Sequence, residues 1–267
     1  MLLAILIVLG AGAVAALAFA LVQHRARGPL LHDSGRGRGM IQVAGTSFAV
    51  LLAFVILAAF QTYSGARAGA GSEATAVLDM ARTGSLFPEA QREQLRGDLI
   101  CYGRAVVSKE WPAMRRGHSS PFVDRWIAAY RALFGQLDLH TTRQQLGLQD
   151  MLNLADTRTA GRQQRLNDAT PAIPTPLWLA LIFGGVVAVA LQLSVVDPRE
   201  RFPVLGPMIA AVAGVVAAGL LVVYFLDHPY ELKAGGIQPS AMRQTLTEVQ
   251  NLEPGLRPAC SRSGLPV

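Results

Sequence analysis

This 267-residue sequence predicts an all-α, polytopic membrane protein: four transmembrane helices, with a helical hydrophilic insert between helices 2 and 3. Three observations carry that reading. Hydrophobic residues make up 51% of the chain and charged residues only 16%, a balance outside the range of ordinary soluble domains. Residues 2–22, 40–60, 177–196 and 204–226 contain no Asp, Glu, Lys or Arg. The remainder carries charge at ordinary density, with apolar residues recurring at three-to-four spacing and no sustained two-residue alternation.

Each charge-free stretch, rising ~1.5 Å per residue as a helix, can cross a hydrocarbon core of about 30 Å. A charged side chain at mid-bilayer costs roughly 2.5–3.5 kcal/mol on insertion scales, so four such windows are not chance. The first is read as a retained span. A cleaved secretory signal has basic residues before its apolar run, whereas here Arg25, Arg27, Arg36 and Arg38 follow it, although Ala16, Ala18 and Ala20 resemble a cleavage site.

The spans divide the chain into four regions: 1–62, spans 1 and 2 with an Arg-rich loop; 63–176, the insert; 177–226, spans 3 and 4; and 227–267, a tail. Two helices separate insert from tail, so both lie on one side of the cell membrane. Six arginines in the short loops (Arg25, Arg27, Arg36, Arg38, Arg199, Arg201) favour cytoplasmic loops and an external insert. Arg67, Arg82, Arg158, Arg162, Arg165 and Lys233 near the insert-side helix ends oppose this, and the side stays open.

Small residues recur every fourth position in three spans: Gly12, Ala16, Ala20; Gly45, Ala49, Ala53; and Gly206, Ala210, Gly214, Ala218. Such stripes let helix backbones approach closely, within one chain or between subunits. The spans hold few polar residues, namely Gln42, Thr46, Ser47, Gln192 and Ser194, and no ionisable one. That excludes a proton-coupled pump or a voltage sensor, which need charge at depth, and leaves a passive pore, a scaffold or an anchor. Gln42, Thr46 and Ala49 share one face of the second span, which either lines a pore or packs on another helix.

In the insert, Ala74, Val77, Leu78 and Ala81 form a helical stripe. Ser85 and Pro88 mark a helix start, with Leu95, Leu99, Tyr102 and Val106 following and Pro112 as the stop. Ser120 and Pro121 open a helix whose apolar face is Phe122, Trp126, Tyr130, Leu133 and Leu137. A further helix runs from Thr141 through Leu148, Leu152 and Ala155 to Leu166, before Pro171, Pro174 and Pro176. The tail offers Met242, Leu246 and Val249 as an amphipathic helix, followed by an end whose Pro254, Gly255, Pro258 and Gly264 predict disorder.

Glu110-Trp111-Pro112, with Met114 and Gly117 after it, is the least generic segment. One reading is structural: Trp111 plugs the bundle, Pro112 breaks the helix and Glu110 meets an arginine. The other makes Glu110 with Arg162 and Arg165 an ion or ligand site. The net charge of +6 is spread among acids rather than striped, which excludes a nucleic-acid reader. There is no phosphate-cradling glycine loop, zinc-type histidine pair or nucleophile elbow, so neither an enzyme, a cofactor nor a metal is implied. Cys101 and Cys260 can pair only in an oxidising space.

Several of these segments together resemble the Bestrophin-like family of bacterial membrane proteins. They are the run from Gly45 to Ala49 with Leu51-Leu52-Ala53-Phe54; Glu73-Ala74; Tyr102, Val106, Val107, Glu110-Trp111-Pro112, Met114 and Gly117; Arg162 with Arg165-Leu166; Leu177-Trp178; and Leu226-Asp227-His228-Pro229-Tyr230. The resemblance implies a four-helix membrane domain split by a helical insert, kinship with pentameric anion channels, and a functional motif of Glu73, Glu110, Trp111, Pro112, Arg162, Arg165 and Asp227. It also implies a cytoplasmic insert, opposite to the loop arginine count. The calcium-binding acidic cluster of bestrophins has no counterpart in this tail, where Glu248 and Glu253 stand alone. The expected function is an oligomeric anion channel whose partners are the bilayer, further copies of the chain and an anion. The alternative is a membrane-anchored interaction or sensor module without transport.

Overall fold

The computed structural model describes residues 2–25, 34–137, 139–195, 202–231 and 235–267. Nine α-helices are found among them: α1 Leu2–Arg25, α2 Ser34–Thr83, α3 Glu89–Ala105, α4 Trp111–Met114, α5 Pro121–Phe134, α6 Thr142–Asn167, α7 Thr175–Val195, α8 Phe202–Asp227 and α9 Ser240–Leu252. The loop positions 26–33 and 196–201, with Arg27, Arg199 and Arg201, lie outside the described residues, as does Lys233. The chain forms two compact units: Met1–Gln61 with Pro171–Asp227, and Thr62–Thr170 with His228–Val267.

The first unit holds the membrane helices, in which the four candidate spans are Leu3–Leu21, the start of Ile41–Leu86, Thr175–Gln192 and Leu205–Asp227. Its outer surface is apolar: Leu3, Val14, Phe54, Phe183 and Val215 are all exposed, as lipid-facing side chains should be. Inside, the small stripes of α1 and α8 pack on each other, and a Cβ added at Gly12 would lie 3.0 Å from the Ala210 carbonyl. Ala15, Phe19, Ile209 and Ala213 fill that contact. On α2, Phe48 is buried against Gly184 and Gly185 of α7, where a Cβ at Gly184 would come within 2.9 Å of its ring.

Asp227, fully buried at the end of α8, accepts hydrogen bonds from the Ala172 and Ile173 amides (2.8 and 3.0 Å) and from Trp178 Nε1 (3.5 Å). It thereby satisfies backbone donors just before α7, where a chain entering a membrane helix has none to spare.

The second unit is a helical bundle with its own core, in which Leu99, Ile100, Tyr102, Val106, Val123, Tyr130 and Met151 are almost wholly buried. α6 opens with a capping box, the Thr141 hydroxyl accepting from the Gln144 amide while the Gln144 side chain returns to Thr141. Several expectations need correction here. Pro112 does not stop the helix after Val106. A π-helical turn over Val106–Glu110 shifts the ladder, and Pro112 sits in the first turn of α4, where its missing N–H is not required. Phe122 is exposed and Val123 takes its inward place, while on α6 Leu152 is exposed and the buried row is Gly147, Met151, Ala155, Arg158 and Arg165.

The tail differs most. It belongs to the same unit as the insert, and its end is folded rather than disordered. Cys260 is disulfide-bonded to Cys101 of α3, Trp126 Nε1 donates to the Gly264 carbonyl at 2.8 Å, and the Ser108 hydroxyl lies 2.6 Å from the Ser263 carbonyl. Gly264 has φ +74°, and a Cβ there would meet the Ala105 amide at 2.3 Å, so only glycine fits. The Gly and Pro residues that suggest disorder serve turns in a segment stapled to the core.

The staple closes a loop of 159 residues and so restricts the unfolded chain strongly. Cys101→Ser or Cys260→Ser is expected to cost about 2–5 kcal/mol in detergent-solubilised protein. Thermal unfolding checks this, and the double variant should be no worse than either single one.

Candidate functional site

The crossing of α2 and α6 sets the site. Gly69 and Gly161 face each other so closely that a Cβ at Gly161 would lie 2.7 Å from the Glu73 amide and 2.8 Å from the Gly69 carbonyl. One turn beyond each glycine comes a charged residue, Glu73 on α2 and Arg165 on α6. The close backbones bring them together: Arg165 Nε donates to Glu73 Oε2 at 2.6 Å and Nη2 to Oε1 at 2.9 Å, a two-point pairing.

Arg165 is shared. Its Nη2 also donates to Glu110 Oε2 at 2.6 Å, and its Nη1 lies 2.6 Å from the Met114 sulfur. The guanidinium carbon sits 5.1 Å from the centre of the Trp111 ring, a cation–π contact. Trp111 is held in turn by donating to the Ile237 carbonyl at 3.2 Å and by an edge-on contact with Tyr230, whose hydroxyl donates to the Ala66 carbonyl at 3.1 Å. The π-helical turn delivers Glu110, aiming a carboxylate inward just before Trp111.

Arg162 completes the network. Its Nη2 and Nε donate to Glu110 Oε1 at 2.6 and 3.1 Å, and its Nη1 meets Asp124 of α5 at 2.7 Å. Tyr102 donates its hydroxyl to Glu73 at 2.5 Å. Glu73, Glu110 and Arg165 are each at most 1% exposed. Burial alone would raise the Glu110 carboxyl, but the hydrogen bond from Arg162 and the charges of Arg165 and Arg162 outweigh it and hold it below the usual carboxylate range. Burial first, and then the Glu73 carboxylate, push the Tyr102 phenol well above its ordinary value, so Tyr102 stays a donor.

Of the sequence-predicted motif, Glu73, Glu110, Trp111, Arg162 and Arg165 converge here, and Pro112 adjoins them at the start of α4. Asp227 belongs to the first unit, where it is bonded to Ala172, Ile173 and Trp178. Gln42, Thr46 and Ala49 are exposed on the first unit, and Gly45 has open space where a Cβ would stand. Sequence reasoning passed over Asp124, Tyr130 and Arg158 as members of this neighbourhood. The usable signal was spacing, since Arg158, Arg162 and Arg165 stand at i, i+4 and i+7, one helical face that also carries Met151 and Ala155.

The family model of the Bestrophin-like domain matches residues 5–238. The chain belongs to the Bestrophin-like family. Among solved structures, a bacterial bestrophin homologue from Klebsiella pneumoniae solved by Zn-SAD phasing is similar at TM-score 0.64 and 14% identity, with 94% of this chain and 97% of that chain covered. A mutant of the Klebsiella pneumoniae homologue gives 0.68 at 14% identity over 94% and 98%. A structure described as a membrane protein variant gives 0.68 at 13% over 94% and 97%. At these identities the likeness is one of fold. No curated protein matches the chain by sequence.

Removing one partner of a buried ion network leaves the others charged and dry, at roughly 3–5 kcal/mol. Arg165→Met is expected to destabilise by that order, and Glu73→Gln/Arg165→Met to recover part of it, in a double-mutant cycle on the solubilised protein. The pH dependence follows from Glu110. Its folded-state pKa lies below the unfolded one, so its contribution is complete above the unfolded value, about 4.3, and is lost as pH falls toward the folded value. Stability should therefore fall below about pH 4.3, and fall less steeply in Glu110→Gln; identical slopes would refute this.

Proposed function

We propose that the protein is an oligomeric anion-conducting channel of the cell membrane. The observation that carries the reading is the second span. Phe48, Leu52 and Val55 turn one side of it toward the chain's own helices, whereas Gln42, Thr46, Ala49 and Ala53 are not covered by the chain's own helices. This face is polar and small, carries no charge, and suits a subunit contact or a pore wall better than lipid. Membership of the Bestrophin-like family supports the same reading. The Glu73–Arg165–Glu110 network then has a structural role. Each of its charges already has partners, which leaves none to bind a passing ion.

The test is flux. Reconstituted protein should release chloride from liposomes, run as an oligomer in native mass spectrometry, and change rate or anion preference in Gln42→Leu and Thr46→Val, while Arg116→Gln, in the turn after α4, changes nothing. A monomer that passes no anion would refute the reading, and would favour a membrane-anchored binding module.

The second unit is read as facing the oxidising side of the membrane. Two independent observations support this: the six loop arginines, which favour a cytoplasmic position for the loops, and the buried pairing of Cys101 with Cys260, which a reducing cytosol would not maintain. A C-terminal alkaline phosphatase fusion is expected to be active in intact cells, and both cysteines to alkylate only after reduction. Alkylation without reductant in acid-quenched cells would reverse the assignment.

A further inference from the structure

The buried face of α6 carries three arginines, and carboxylates neutralise only two. Arg158 is 1% exposed, yet it forms no ion pair among the described residues. Its Nη2 donates to the Thr159 hydroxyl at 2.9 Å, and its Nε–H is buried with no acceptor. Its guanidinium lies over the Tyr102 and Tyr130 rings, 5.4 and 5.7 Å from their centres. Aromatic faces moderate a buried cation but do not replace a carboxylate, so the charge is left largely uncompensated.

Arg158 lines a cavity of about 200 Å³ in the second unit, together with Arg131, Arg162, Thr159, Gln163 and Asp124. Arg131, from α5, reaches the same Thr159 hydroxyl at 3.5 Å. The Tyr130 hydroxyl is buried beside both guanidiniums. The carboxylate present, Asp124, is 57% exposed and tied to Arg162, which Glu110 also holds. Around the cavity, the charges of Arg131 and Arg158 therefore have no counter-ion among the described residues.

We propose that this cavity binds a small oxyanion, a carboxylate, sulfate or phosphate group, between Arg158 and Arg131. Two planar guanidiniums converging from different helices present paired N–H donors, which match a multi-oxygen acceptor better than a spherical halide. The bound anion supplies the acceptor that Arg158 Nε lacks. The site lies wholly within the second unit and does not rest on conduction through the spans.

Full-length protein in detergent is dialysed to equilibrium against radiolabelled sulfate at fixed ionic strength, with phosphate, acetate and chloride as competitors. Saturable binding of one sulfate per chain is expected, displaced by phosphate and acetate and not by equimolar chloride. Arg131→Gln, an exposed side chain, should weaken it at least about tenfold, the scale of one charged hydrogen bond. Arg125→Gln, exposed on the same helix, should bind as the parent does. Arg158→Leu should abolish binding and raise the thermal midpoint without sulfate, because it removes an unpaired buried charge; if it fails to fold, Arg131→Gln decides. Short-chain phosphatidic acid competing at lower concentration than phosphate assigns the oxyanion to a lipid headgroup; equal competition assigns it to a free ion. Non-saturable binding, equal losses in Arg131→Gln and Arg125→Gln, or displacement by chloride alone would overturn the site.

Discussion

The second unit is organised by one buried cation. Arg165 has no water to solvate it and is tolerable only because carboxylates arrive from two other segments, Glu73 on α2 and Glu110 on the π-helical turn. Each arrival has its own backbone requirement. Glu73 is in reach because Gly69 and Gly161 let α2 and α6 touch, and Glu110 is in reach because a widened turn interrupts the helix before Trp111. Trp111, stacked on the guanidinium, fixes the segment that carries Tyr230 and Ile237. A charge that can be satisfied in one geometry selects that geometry, and three segments are fixed by it.

The first unit obeys the opposite solvent. Its exterior is apolar and its charge-free helices are held by close contact of small residues rather than by burial of oily ones. Two of its three small-residue stripes are consumed within the chain, at α1 and α8, and the stripe on α2 is not. Asp227, at the end of α8, is fully buried and caps backbone donors. The strip left over on α2 is neutral, small and polar, and charge is kept out of the spans.

Much of this was legible in residue order. The four charge-free windows became membrane helices, the Thr141 and Ser120–Pro121 signals open α6 and α5, and Glu110 does meet an arginine. What failed did so for definable reasons. Periodicity alone placed Phe122 and Leu152 inward, but the faces are rotated, because buried arginines and glycine, not leucine, occupy the inner row of α6. Pro112 reads as a stop only if the helix keeps its i to i−4 register. The tail reads as disordered because its Gly and Pro residues lack any local sign that Cys260 and Trp126 hold them from afar.

The sequence by itself determined where lipid solvates the chain, since absence of charge over the width of a bilayer is a local property that no fold can supply later. It also named Glu73, Glu110, Trp111, Arg162 and Arg165, and set Glu110 beside the two arginines, without saying that Glu73 joins them. Only the tertiary structure decided that Arg165 serves two carboxylates, that Arg158 on the same face serves none among the described residues, and that Asp227 caps the Ala172 and Ile173 amides. Such pairings depend on how closely helices distant in sequence approach, and here two glycines set that distance.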